Sequence, residues 1–199
     1  MSAKICLEGG GDSKELHIRC REGFRKLLEK CGFSGRMPRL VASGGRTATY
    51  DDFRTCHAAR RQGDYVAMLI DSEEPVVDIE ATWAHLRDRD GWPRPDQAGD
   101  EQVLLMTTCM ETWIVCDRDT LRQHYGSRLQ VSALPSLVDL ENRPRDVVQH
   151  ALTHATRKCS NAYAKGKRSF EVLGKLEPAT LCEHLPTFVR VHRILQDKL

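Results

Sequence analysis

Short apolar runs alternate with longer stretches of helical periodicity along the first two thirds of the chain. Lys4-Ile5-Cys6-Leu7 is broken by Glu8-Gly9-Gly10-Gly11-Asp12, after which Leu16, Cys20, Phe24, Leu27, Leu28 and Cys31 recur at the spacing of an amphipathic helix. Gly32 supplies the tolerance of positive φ that ends such a helix. The pattern predicts strand, glycine turn, helix. A second strand is expected over Arg39 to Ala42, stopped by Gly44-Gly45, and a helix from about Tyr50 to Gln62. Tyr65-Val66-Ala67-Met68-Leu69-Ile70 is apolar at every position, as a strand covered on both faces must be, and it stops at Asp71-Ser72-Glu73-Glu74-Pro75.

A helix is predicted around Ile79 to Arg89, then a loop from Gly91 to Pro95, a strand over Gln102 to Met106, and helix from Met110 to Tyr125 in one or two pieces. The last third carries no strand pattern; Pro144 to Thr156 and Pro186 to Leu195 read as amphipathic helices. Alternation of strand and helix implies an α/β fold, a sheet of about four mainly parallel strands with right-handed crossovers. The expected organisation is an α/β core over residues 1–130 and a helical extension over 131–199, packed as a single unit.

A length of 199 residues suits that plan. No apolar run approaches the ~20 residues of a membrane span, and the first twelve residues lack the apolar centre of a signal peptide, so a soluble cytoplasmic protein without membrane contact is expected. The 8 cysteines form no C-x-x-C pair and read as small core hydrophobes rather than a disulfide framework or zinc site. The formal charge of +2 at first argues against a nucleic-acid partner, but it averages unlike segments. Residues 1–61 hold 13 basic and 7 acidic side chains, 62–142 hold 6 and 16, and 143–199 hold 11 and 5. Two basic flanks thus enclose an acidic middle, a division that suits metal held by acids and phosphates gripped by the flanks.

Functional groups of a parallel sheet collect beyond the carboxyl ends of its strands, and two of those ends carry acids: Glu8 and Asp12, then Asp71 and Glu73. Two apart on a strand, Asp71 and Glu73 can present carboxylates to one side while Ser72 points away. Clustered carboxylates repel unless a cation neutralises them, and hard oxygen donors suit Mg²⁺ or Mn²⁺; strand-end acids are also commonly solvated or cap the next helix. Gly9, Gly10 and Gly11 let backbone N–H groups approach a phosphate, yet neither G-x-G-x-x-G nor the P-loop pattern is met, and an acid before the glycines favours a metal-bridged phosphate over a bare one. His150 and His154 lie four apart but lack the Glu of H-E-x-x-H and read as helix-surface residues; Trp83, Trp92 and Trp113 read as core or loop anchors. Lys165-Gly166-Lys167-Arg168, expected in a loop, is the better phosphate candidate of the two basic clusters, Arg60-Arg61 being the other.

Ile5-Cys6-Leu7-Glu8-Gly9 and Leu69-Ile70-Asp71-Ser72-Glu73 resemble, in order and spacing, the TOPRIM domain shared by topoisomerases, primases and the overcoming-lysogenization-defect nucleases. Met110-Glu111-Thr112-Trp113 with Asp117, Tyr163-Ala164-Lys165 and Pro186-Thr187-Phe188 extend the likeness to a bacterial family of small TOPRIM-like proteins of unknown function, the DUF4276 type, suspected of acting in phage defence beside an ATPase. The resemblance implies a TOPRIM-like (Rossmannoid) sheet and a Mg²⁺- or Mn²⁺-dependent phosphodiesterase acting on DNA or RNA. It places Glu8 as metal ligand or general base, Asp71 and Glu73 as metal ligands, Glu111 as a further ligand or an acid orienting the others, Asp12 as an additional acid, and Lys165 or Lys167 as stabilisers of phosphate charge. Glu73 stands where the family more commonly has a second Asp. Implied partners are a nucleic-acid substrate, an ATPase and a second copy of the chain; the alternative is a non-catalytic subunit held and released by the ATPase. A nucleotide-binding or phosphotransfer enzyme is a third reading, left open by the permissive glycine turn.

Overall fold

The computed structural model describes residues 2–199 and has four strands, β1 (Ala3–Glu8), β2 (Arg39–Gly44), β3 (Tyr65–Asp71) and β4 (Val103–Met106), all paired in parallel in the order β2-β1-β3-β4. The predicted α/β fold is the observed one. Chain direction across the sheet reverses after β2, so β1 and β3 flank the switch point, where a crevice opens beyond the strand ends. Right-handed crossovers then require helices on opposite faces. The α1 helix (Lys14–Leu28) covers one face through Cys20, Phe24 and Leu27, while α2 (Arg46–Ala58) and α3 (Thr82–Asp90) cover the other through Tyr50, Phe53, Trp83 and Leu86.

The α1 helix forms where its caps and stripe agree. Ser13 accepts from the Leu16 N–H at 3.3 Å, Glu15 sits in the first turn and Arg25 and Lys26 in the last, matching the helix dipole. A wider turn over Glu29–Phe33 ends it, with Gly32 at φ 90°. The second helix starts at Arg46 rather than Tyr50, immediately after the Gly44-Gly45 stop. The Met110 to Tyr125 pattern resolves into α4 (Met110–Cys116) and α5 (Arg118–Tyr125), broken at Asp117.

Four further helices, α6 (Arg145–Thr156), α7 (Lys167–Leu173), α8 (Pro178–His184) and α9 (Pro186–Lys198), pack on the α1 side. Two of these, α7 and α8, escape the sequence pattern because each is a single short stretch. Lys167 and Arg168 therefore begin a helix; the expected loop ends at Gly166. Asp117, buried, joins the two regions: one carboxylate oxygen caps α5 through the Thr120 N–H at 3.0 Å and the other takes the Glu177 N–H at 2.9 Å. Phe188 meets Trp113 edge-on at 4.9 Å, an arrangement worth about 0.5–1.5 kcal/mol beyond burial. The Asp117 and Pro186-Thr187-Phe188 motifs thus lie in structural joints.

Gly23 of α1 is buried against α7, and a Cβ placed there would stand 2.5 Å from the Phe170 carbonyl oxygen. Helix propensity alone would make Gly23→Ala a gain of about 1 kcal/mol. The backbone clash predicts the opposite sign, a loss of about 1–3 kcal/mol in urea denaturation. An unchanged or raised midpoint would show that the two helices separate freely.

Candidate functional site

The strand ends at the switch point hold the acids. Strict alternation would put Glu8 on the α2 face with Cys6, and Asp71 on the α1 face with Leu69. A register shift between Leu7 and Glu8 breaks the alternation, and the Glu8 carboxylate folds over the sheet end to accept the Asp71 N–H at 3.1 Å. Asp71 turns the other way and accepts the Met110 N–H, the first of α4, at 2.8 Å. Glu73 arrives differently from expectation. The strand stops at Asp71, and Glu73 sits in the left-handed region at φ 69°, its N–H bonded to the Thr108 carbonyl at 2.8 Å. A non-glycine residue there is strained, so the carboxylate is brought in by a held turn and not by the two-residue period of a strand.

One oxygen each from Glu8, Asp71 and Glu73 lie within 4.8 Å of one another. Ligands opposite each other across an ion at ~2.0–2.6 Å are themselves ~4–5 Å apart, so a single divalent ion fits this set of hard oxygen donors. Glu111 lies behind the triad: it is buried, receives the Tyr163 hydroxyl at 2.5 Å on one oxygen and the Gln149 amide at 3.2 Å on the other. With both oxygens engaged, it contributes field and support to the triad. Asp12 is exposed on the turn and stands outside the triad.

Three arginines that sequence reasoning missed face these acids: Arg89, 3.8 Å from Glu73, and two that begin helices. Arg46 donates to the Asp71 carbonyl, lies 3.7 Å from Glu8, grips Asp90 with two bonds at 3.1 and 2.7 Å, and stacks 5.1 Å above Trp92. Arg145 pairs with Glu73 and lies 4.0 Å from Asp71. Arg46 and Arg145 are the first residues of α2 and α6. A cation at a helix N-terminus opposes the dipole, but Lys14, Arg118 and Lys167 begin helices too, so no sequence signal singles out these two.

Burial pushes the Asp71 carboxyl well above the usual carboxylate range, and the facing Glu8 and Glu111 carboxylates push it the same way; Arg145 and the Met110 N–H oppose them. Burial also raises Glu8, against the pull of Arg46 and the Asp71 N–H. Glu8, Asp71 and Glu111 open into a cavity of about 330 Å³ that Gly9, Gly10, Gly11, Arg145, Lys165 and Ser169 also line, with Glu73 outside its lining. The N–H of Gly9 is taken by the Gly44 carbonyl at 2.7 Å, so of the three glycines only Gly10 and Gly11 offer an N–H to a ligand. Lys165 makes no ion pair among the described residues, whereas Lys167 lies in a separate groove, 3.8 Å from Glu15. The structure therefore brings Lys165 to the acids and not Lys167.

Trp83 and Trp113 are buried core residues, and Trp92 is stacked on Tyr50 at 4.3 Å. Among the described residues no helix is long and apolar enough to cross a membrane.

Fold and site define an α/β protein with an acidic centre at the switch point of a parallel sheet, walled by arginines. The model of the family described as Domain of unknown function (DUF4276) matches residues 7–196, and the chain belongs to that family. No curated protein and no solved structure matches it significantly.

A carboxyl raised by folding stabilises the protein only while protonated; its contribution is lost as pH rises from the unfolded-chain value through the raised one. Without divalent ions, Asp71→Asn is therefore expected to gain in stability relative to wild type as pH rises from the ordinary Asp range through the raised one. Calorimetric scans in chelator test this. A constant deficit across that range would mean that the Asp71 charge carries no strain.

Proposed function

We propose that the protein is a Mg²⁺- or Mn²⁺-dependent nuclease of TOPRIM-like type that hydrolyses phosphodiester bonds in DNA or RNA. The observation that carries this reading is the convergence of Glu8, Asp71 and Glu73 from two strand ends and a strained turn, within one coordination sphere of each other. A divalent ion held by these acids would polarise a phosphate oxygen and make a water acidic enough to attack. Glu8 would serve as a ligand to that ion or, from the same strand end, as the base that takes the water's proton. Arg46 holds Glu8 and the Asp71 backbone in place, and Glu111 supports the triad from behind. Lys165 and the free N–H groups of Gly10 and Gly11 line the cavity wall where a phosphate would rest. The family resemblance extends the proposal to defence against phage, with an ATPase as the partner that licenses cleavage.

A second reading has its own support. Arg46 and Arg145 already neutralise part of the acidic charge, so the cluster can stand without a metal, as it would in a non-catalytic subunit carried by an ATPase.

Cleavage of phage DNA, plasmid DNA and tRNA with Mn²⁺ or Mg²⁺ separates the two. Glu8→Gln and Asp71→Asn should each lower the rate by about 10²-fold or more. Equal activity in the three proteins would remove the site. The same substitutions in cells carrying the partner cover a chain that is silent alone. If function in cells survives both, and Mn²⁺ gives no heat of binding, the interaction subunit is the correct reading.

A further inference from the structure

Three arginines touch the acidic centre, and they are held very differently. Arg46 is fixed by its double bond pair to Asp90, its bond to the Asp71 carbonyl and its stacking on Trp92, and only 13% of its side chain is exposed. Arg89 divides its charge between Asp90 and Glu73. Among the described residues Arg145 has no ion pair except with Asp71 and Glu73, two of the three triad acids, and its side chain is 30% exposed on the cavity wall.

Those contacts compete with a divalent ion for the charge of the triad. An ion within ~2.0–2.6 Å of the Asp71 and Glu73 oxygens would stand beside a guanidinium that already engages one Glu73 oxygen, and the two positive charges would repel. The guanidinium can leave cheaply: Arg145 is the first residue of α6, so a change of side-chain rotamer moves it without unwinding the helix. The cavity beside it is where Lys165 and the free N–H groups of Gly10 and Gly11 stand. A planar guanidinium fork, released from carboxylates, matches the oxygens of a phosphate.

Resting on the divalent-metal reading above, we propose that Arg145 is a substrate-binding residue that changes partners: it balances Asp71 and Glu73 until a divalent ion replaces it, then grips the phosphate of the nucleic acid. Metal and Arg145 thus compete for the acids, while metal and substrate cooperate through Arg145. Metal binding readies the site for substrate, and substrate, by holding Arg145 away, tightens metal binding in turn.

The consequence is a pair of effects of opposite sign. In calorimetric titration of the full chain with Mn²⁺, Arg145→Gln should bind the ion about three- to tenfold more tightly than wild type. With saturating Ca²⁺, a fluorescein-labelled single-stranded oligonucleotide with phosphorothioate linkages should bind Arg145→Gln about tenfold more weakly. The slope of log affinity against log salt should fall by about 0.7, one single-strand phosphate contact. Arg145→Lys keeps a cation at the rim without the fork: Mn²⁺ affinity near wild type with weaker oligonucleotide binding is expected, and this variant carries the test if the Gln variant does not fold. A residue that merely ties α6 to the sheet would weaken both affinities together or leave both unchanged, and either result overturns the proposal. Mn²⁺ heat that Asp71→Asn abolishes, without the opposed effects at Arg145, would sink this inference alone; no such heat in wild type would sink the metal reading with it.

Discussion

Everything at the functional end of this molecule follows from placing like charges together where water is scarce. Glu8 and Asp71 are brought side by side because β1 and β3 are neighbours at the point where the sheet reverses direction, and Glu111 approaches from the first turn of α4. The repulsion and desolvation of such a group are large on the scale of a domain's total stability of about 5–15 kcal/mol. The fold answers with cations from the two helices whose first residues face the acids, at positions where a cation is itself disfavoured by the helix dipole. Two unfavourable arrangements offset each other. An apolar sheet end would have been simpler to stabilise.

The sheet was legible in the sequence for a definite reason. Each strand is short, apolar and stopped by glycine or acid, and each crossover helix in the sheet region shows a stripe of buried residues, so period and punctuation agree. Glu8, Asp71 and Glu73 were legible as strand-end acids. Their grouping as metal ligands came from the family resemblance, but the route to it did not, because it depends on a register shift beside Glu8 and a left-handed residue at Glu73, and neither has a sequence signature. The three glycines suit a phosphate cradle, but the pairing of Gly9 with Gly44 removes one of its three donors. Lys165 and Lys167 look equivalent in sequence; only the start of α7 between them sends one to the acids and the other to a different groove.

Arg46 and Arg145 show where residue-by-residue reading runs out. Each is an ordinary basic residue in a polar stretch, and nothing nearby in sequence shares its role. The partners lie far along the chain: Arg46 answers Glu8, Asp71 and Asp90, and Arg145 answers Asp71 and Glu73. Even a helix boundary accurate to one residue would not single them out, since Lys14, Arg118 and Lys167 also occupy first positions; only the fold shows which of these cations face the acids.

The region after residue 130 is, in this light, part of the site. Helix α6 contributes Arg145 and Gln149, the segment before α7 contributes Tyr163 and Lys165, and α7 itself places Ser169 and Phe170 on the cavity wall. Its attachment is tight enough to position them: the backbone of α7 lies against Gly23 with no room for a side chain between, and Asp117 binds both the start of α5 and the Glu177 N–H. The three-part charge division along the chain gains a spatial meaning from this. The acidic middle supplies Asp71, Glu73 and Glu111, while the basic flanks deliver Arg46 from one side and Arg145 and Lys165 from the other. The near-zero total charge is therefore the average of one acidic centre and the cations folded around it. A field of that shape is strongest over a few ångströms and weak at a distance, which favours gripping a phosphate at the site over drawing a polyanion to the whole surface.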